Sequence, residues 1–94
     1  MDNTFSLIIN FVAFKQLRLE LLNHGTEVEA VDFSFDSNLD TLLIGNIDKV
    51  LKRNRITTSS LEEVKITGDV DPNSSAYKIA QTWLEAVKTF KKPS

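Results

Sequence analysis

The sequence predicts an α+β fold, a two-layer sandwich with the order β-α-β-α-β-α and three helices on one face of a small open-faced sheet. Three times, a stretch of alternating apolar and polar residues is followed by a stretch with helical apolar spacing. Each predicted strand also keeps a polar face, which disfavours a parallel sheet covered on both sides. The 94 residues, 41% hydrophobic and 26% charged, predict a single globular domain over 1–94 with a frayed tail at 91–94.

The first predicted strand covers residues 4–11. Its alternation places one apolar set on a single face: Phe5, Leu7, Ile9 and Phe11. The same region also fits one long helix over residues 4–24. Aromatic and β-branched residues favour the strand.

The first predicted helix covers residues 14–23. Its apolar residues recur at spacings of three, four and seven: Phe14, Leu17, Leu21 and Leu22. We expect His24-Gly25 to end this helix, with Gly25 in the left-handed conformation.

The second unit is a strand over residues 27–36 followed by a helix that runs toward Arg53. The apolar stripe of this helix is Leu39, Leu43, Ile47, Val50 and Leu51. Candidate N-caps precede it at residues 36–38. Gly45 lies inside the helix, where we expect it to allow close packing of a neighbouring element.

The third unit follows a polar connection over residues 54–60. Alternation predicts a strand over residues 63–70, and Asp71-Pro72 is typical of a helix start, with Asn73 or Ser74 as alternative caps. The apolar face of this third helix includes Ala76, Ala80, Trp83, Val87 and Phe90. We expect Trp83 to be a core residue, or an interface anchor if it is partly exposed.

Composition excludes several classes of function. The chain has no cysteine, so it forms no disulfide and no thiolate metal site, and it fits a reducing compartment. The formal net charge of −2 gives no global attraction to nucleic acid or to an anionic membrane. The apolar start is too short to span a membrane and lacks a basic leading region. These features predict a soluble cytoplasmic protein that does not bind membranes.

No catalytic, cofactor-binding or metal-binding residue is predicted. The single imidazole, His24, has no partner at a recognisable ligand or nucleophile spacing. Residues 69–73 resemble the start of a calcium loop, but Ser74 replaces the required glycine and Ala80 the required glutamate. Catalysis by Asp, Glu, Lys or Tyr residues that folding brings together stays open.

Charge layout is the main functional signal. Acidic residues precede the second predicted helix, and basic residues cluster at its end. Most of this layout suits the helix macrodipole, but it also fits a docking surface. The candidate partner-binding residues are Lys49, Lys52, Arg53, Arg55, Glu27, Glu29 and Asp32.

These observations predict a non-catalytic protein–protein interaction or regulatory module that is capable of self-association. One alternative is a nucleic-acid-associated factor that uses the basic cluster at the end of the second helix. The other is an accessory subunit of a larger enzyme, whose partner supplies the chemistry.

Overall fold

A computed structural model describes the backbone of residues 5–91 and the side chains of residues 5–87. It contains four strands, two helices and a short 3-10 turn at Thr58–Ser60. The strands are β1 (Phe5–Ala13), β2 (Gln16–Asn23), β3 (Thr26–Ser34) and β4 (Leu61–Gly68). The helices are α1 (Leu39–Arg53) and α2 (Ser75–Lys91). The order along the chain is therefore β-β-β-α-β-α.

The sheet is mixed and has the order β3-β2-β1-β4. Strands β1, β2 and β3 form two antiparallel hairpins, whereas β4 pairs with β1 in parallel. Strands β1, β3 and β4 consequently end at the same edge of the sheet. Both helices begin at that edge and run back across the sheet, so α1 and α2 lie side by side in the same direction.

The core lies between one sheet face and the two helices. Alternate residues of β1 and β2 point into it, as a period of two requires. All five residues of the predicted α1 stripe are buried there. The buried residues that form this core cluster are Phe5, Leu7, Ile9, Phe11, Leu17, Leu19, Leu21, Leu39, Leu43, Ile47, Val50, Leu51, Leu61 and Ala80.

The α+β class is confirmed, but the prediction of three helices in β-α-β-α-β-α order is wrong. The predicted helix over residues 14–23 is strand β2, in which Leu17, Leu19 and Leu21 alternate into the core. Leu17 and Leu21 fit both a helical spacing and a period of two, so local spacing alone could not distinguish a helix from a strand. Pairing with β1 on one side and β3 on the other makes this segment a central strand.

Two tight turns make these hairpins possible. Lys15 has a φ of 59° in the turn between β1 and β2. His24 and Gly25 have φ values of 55° and 82° between β2 and β3, which is typical of a two-residue hairpin turn with both central residues left-handed. The left-handed conformation predicted for Gly25 is therefore present, but in a hairpin instead of a helix end.

The remaining boundaries differ from the predicted ones by a few residues. Helix α2 begins at Ser75 and not at Asp71-Pro72. Its cap is Ser74, one of the two alternatives predicted, since the Tyr77 amide donates to Ser74 Oγ at 3.2 Å. The strand predicted over residues 63–70 covers Leu61–Gly68. Of the predicted frayed tail, Lys91 belongs to α2, and residues 92–94 lie outside the described residues.

Candidate functional site: the groove between the helices

An apolar groove of about 400 Å³ lies between α1 and α2, and all of its lining residues belong to these two helices. Helix α1 contributes Leu43 and Ile44, and helix α2 contributes Ile79 and Trp83 to the lining. Ile44 is 56% exposed although it is a large apolar residue. No residue in the described part of the chain covers this apolar strip.

The rims of the groove carry opposite charges. Asp40 lies in the first turn of α1 on one rim, and Lys78 lies near the start of α2 on the other. The two side chains do not form an ion pair with each other within the described part of the chain. Thr82 and Ala86 complete the α2 side and are small enough to let another chain approach closely.

The sequence explains why the groove forms. The apolar stripe of α1 points toward the sheet. Ile44 lies next to this stripe on the side of α1 that faces α2. On α2, Ala80 and Val87 are buried, whereas Ile79 and Trp83 occupy the flank of the helix next to α1. Trp83 is half-buried and packs against the core cluster, so the core role predicted for it is present in part, and its interface role stays a prediction.

The predicted basic cluster is partly neutralised inside the domain. Arg53 Nε donates to Glu29 Oε2 at 2.7 Å, and Lys52 Nζ lies 3.1 Å from Asp48 Oδ2. Lys49 and Arg55 form no ion pair with any residue in the described range 5–87. The nucleic-acid alternative stays a prediction. In it, Lys49 and Arg55 would be the main basic side chains that contact phosphate groups.

The acidic candidates are also engaged in pairs. Glu29 accepts hydrogen bonds from Arg53 and from Asn54 Nδ2, the latter at 2.7 Å. The hydrogen bond from Arg53 holds the pKa of Glu29 below its ordinary value. The structure therefore brings Glu29 and Arg53 together as a link between β3 and the end of α1.

Glu27 and Asp32 meet Arg18 on the open face of the sheet. Arg18 Nη1 lies 2.9 Å from Asp32 Oδ2, and Arg18 Nη2 lies 3.6 Å from Glu27 Oε2. The hydrogen bond to Asp32 is the main cause that raises the pKa of Arg18. These acidic groups form an exposed ion-pair network with Arg18 within the sheet, and none of them lines the groove.

Sequence reasoning missed most of the groove. Ile44, Asp40 and Lys78 were not predicted as site residues, because a groove depends on how two helices that are separated in the sequence by strand β4 lie against each other. The available signal was Ile44, an apolar residue outside the predicted stripe of its helix. Gly45 was expected to permit close packing, but a Cβ placed there meets no described atom of another element within 4 Å.

Metal and membrane chemistry add no candidate. Within residues 5–87, no group of three His, Cys, Asp or Glu side chains is placed to hold a metal ion. Neither α1 nor α2, as far as they are described, is long and apolar enough to cross a membrane.

The fold defines this chain as a small α+β unit in which two helices cover one face of a four-stranded mixed sheet. Among solved structures it is similar to YeaZ from Pseudomonas aeruginosa, with a TM-score of 0.73 and 12% sequence identity over 97% of this chain. The chain spans 40% of the length of that protein, and at this identity the likeness shows the fold alone. No family model and no curated protein matches the sequence.

Proposed function

We propose that this chain is a non-catalytic interaction module that pairs with a second copy of itself through the groove between α1 and α2. The observation that supports this best is the groove itself, which combines an open apolar floor with one acidic and one basic rim. An apolar strip bordered by polar residues is typical of a protein–protein interaction site.

The charges on the rims make a second copy the favoured occupant. In a two-fold symmetric dimer, every contact between two different residues occurs twice, once in each direction across the interface. If Asp40 of one chain faces Lys78 of the other, then Lys78 of the first faces Asp40 of the second. A single surface would thus provide two attractive pairs.

A stable dimer interface would extend well beyond the apolar floor of the groove. A standard interface takes about 800 Å² from each partner, which is roughly an eighth of the 6051 Å² accessible surface of this chain. Trp83 and Ile44 would form its centre, since large apolar and aromatic side chains in desolvated positions dominate binding energy. The rim pairs would contribute orientation more than strength.

The likeness to YeaZ concerns the fold and does not indicate which partner lies in the groove. A unit with the same fold makes up 40% of that chain, so the fold can occur beside further polypeptide. That arrangement would equally suit the alternative in which this chain is an accessory subunit, with a partner other than itself in the groove.

Sedimentation equilibrium over a concentration series tests the proposal. The wild-type mass should rise from 10.6 kDa toward about twice that value. Ile44→Asp should weaken association at least about tenfold, because it places an unpaired charge in a desolvated apolar strip. The matched control is Val12→Asp, which alters a similarly exposed residue, 49% against 56%, outside the groove.

Trp83 provides an independent readout. It is the single tryptophan of the chain and it lines the groove. Dimer formation should shift its emission to shorter wavelength as concentration rises, in wild type and Val12→Asp but not in Ile44→Asp. A constant mass of 10.6 kDa with unchanged emission would reject self-association.

A further inference from the structure

A second cavity, of about 420 Å³, lies at the edge of the sheet where β1 and β4 end. It is separate from the groove between the helices and shares no lining residue with it. Carboxyl ends of adjacent parallel strands are where open α/β sheets commonly bind ligands. Three segments meet here: the β1–β2 turn, the residue that follows β3, and the connection from β4 to α2.

The walls of the cavity are aromatic. Phe11 is buried at the end of β1 and packs edge to face against Phe35, with ring centroids 6.5 Å apart. Phe14 extends from the β1–β2 turn and is 87% exposed, the most exposed large apolar side chain of the described residues. An aromatic face left open to solvent at a cavity mouth can attract a cation through its ring quadrupole.

The cavity already holds one example of that attraction. Lys15 Nζ lies 5.4 Å from the Phe14 ring centroid, and it also pairs with Asp36. Lys15 stays charged in the cavity lining, and Asp36 offsets that charge in part, because both side chains are exposed. What remains at the mouth are two exposed carboxylates, Asp69 and Asp71, on the connection that follows β4.

The backbone that carries these two carboxylates is held against the end of β1. Gly68 has a φ of 99° and lies so close to β1 that a Cβ would be 2.7 Å from Phe11 N. The Asp69 amide then donates to the Phe11 carbonyl at 3.3 Å. Asp71 Oδ1 accepts from the Asn73 amide at 2.9 Å, whereas no described residue donates to the Asp69 carboxylate.

We propose that this cavity binds a lysine or arginine side chain of a peptide segment from a partner protein. The aliphatic stem of such a side chain would pack on Phe11, Phe35 and Val70, and its cationic head would lie between Phe14 and the two carboxylates. The combination of an aromatic wall with excess negative charge disfavours an anionic ligand. The proposal does not depend on self-association through the helices.

A pair of small probes tests it without knowledge of the partner. N-acetyl-arginine amide is titrated into the ¹⁵N-labelled protein, and N-acetyl-citrulline amide serves as the matched neutral probe of nearly the same shape. The arginine probe should produce saturable NMR chemical-shift changes at the backbone amides of Val70 and Ser74. Citrulline should bind at least about fivefold more weakly, since it loses both the ion pairs and the cation–π contact.

Two variants then assign the effect to the cavity. Asp69→Asn should weaken arginine binding about threefold and leave citrulline binding unchanged. Phe14→Ala should weaken it by a similar factor, and because Phe14 is exposed, the fold should remain intact. Asp40→Asn, which neutralises a carboxylate in the other groove, should have no effect on either probe.

Equal binding of the two probes would overturn the proposal, as would the absence of saturable shifts at these amides. Arginine binding that Asp69→Asn leaves unchanged would also overturn it. Because Asp69 and Phe14 lie outside the groove between the helices, these results are separable from a failure of self-association. Screening predicts that arginine affinity falls as salt concentration rises.

Discussion

Replacement of Gly68 by alanine should cost the domain a large part of its stability. Gly68 ends β4 with a φ of 99°, a region that L-residues rarely adopt. A Cβ there would overlap the carbonyl oxygen of Phe11 and lie 2.7 Å from its nitrogen. Both atoms belong to the backbone of the central strand β1, so no flexible side chain can move aside.

The magnitude follows from these two effects. Strained backbone costs about 1–3 kcal/mol, and a clash that displaces packed structure costs about 1–3 kcal/mol more. The sum, about 2–6 kcal/mol, compares with a total unfolding free energy of about 5–15 kcal/mol for an ordinary domain. A loss of this size should lower the melting temperature of a chain this short by roughly 10 °C or more.

The other two glycines are natural controls, measured by urea unfolding with circular dichroism. Gly25 has a φ of 82° but nothing within 4 Å of a Cβ, so Gly25→Ala should cost only about 1–2 kcal/mol from backbone strain. Gly45 is helical and has open space, so Gly45→Ala should stabilise the domain by about 1 kcal/mol. The close approach of Gly68 to Phe11 would be refuted if Gly68→Ala cost no more than Gly25→Ala.

Three further predictions concern individual side chains. Leu19→Ala should lower the free energy of unfolding in urea by about 2–5 kcal/mol because Leu19 is buried in β2. Phe14→Ala should change it by less than about 0.5 kcal/mol because Phe14 is exposed. The reverse ranking would favour the helix that the sequence predicts over residues 14–23. Glu29→Gln should destabilise by up to about 1 kcal/mol at pH 7. Arg53 lowers the pKa of Glu29 in the folded state below the ordinary value of 4.5. The difference in unfolding free energy between wild type and Glu29→Gln should therefore reach its maximum above pH 4.5 and disappear as the pH falls through the lowered pKa. A difference that persists in acid would contradict the pairing of Glu29 with Arg53. Arg18→Ala should cost less than about 1 kcal/mol in the same assay, since its ion pairs are exposed; a cost above about 2 kcal/mol would show that the network is structural.

Helix α1 could be predicted from the sequence almost to the residue. Its five apolar positions fit only a helical period, and all five are buried. Strand β1 was predicted for a different reason: its region also fits a helix, but aromatic and β-branched residues favour the alternating strand. Where a pattern fits one period only, local sequence is sufficient.

Strand β2 could not be predicted in this way. Leu17 and Leu21 suit both periods, and the choice is made by pairs that come from outside the segment, Phe11 with Leu17 and Leu17 with Phe33. The same limit applies to the candidate sites. Asp40 and Lys78 lie on two helices, and Phe14 and Asp69 lie on two turns, so each site exists only after the chain has folded.

The proposed dimer can be tested most directly by mixing two charge variants. Asp40→Lys and Lys78→Glu each place like charges opposite each other in a symmetric homodimer, so each variant alone should be weakened in association. In a mixed dimer the two changes compensate, because each new lysine faces a new glutamate and the native pair is kept on the other side. Sedimentation equilibrium of the equimolar mixture should therefore give about twice the 10.6 kDa monomer mass at a concentration where each variant alone is monomeric. A mixture that remains at the monomer mass would contradict pairing through this groove.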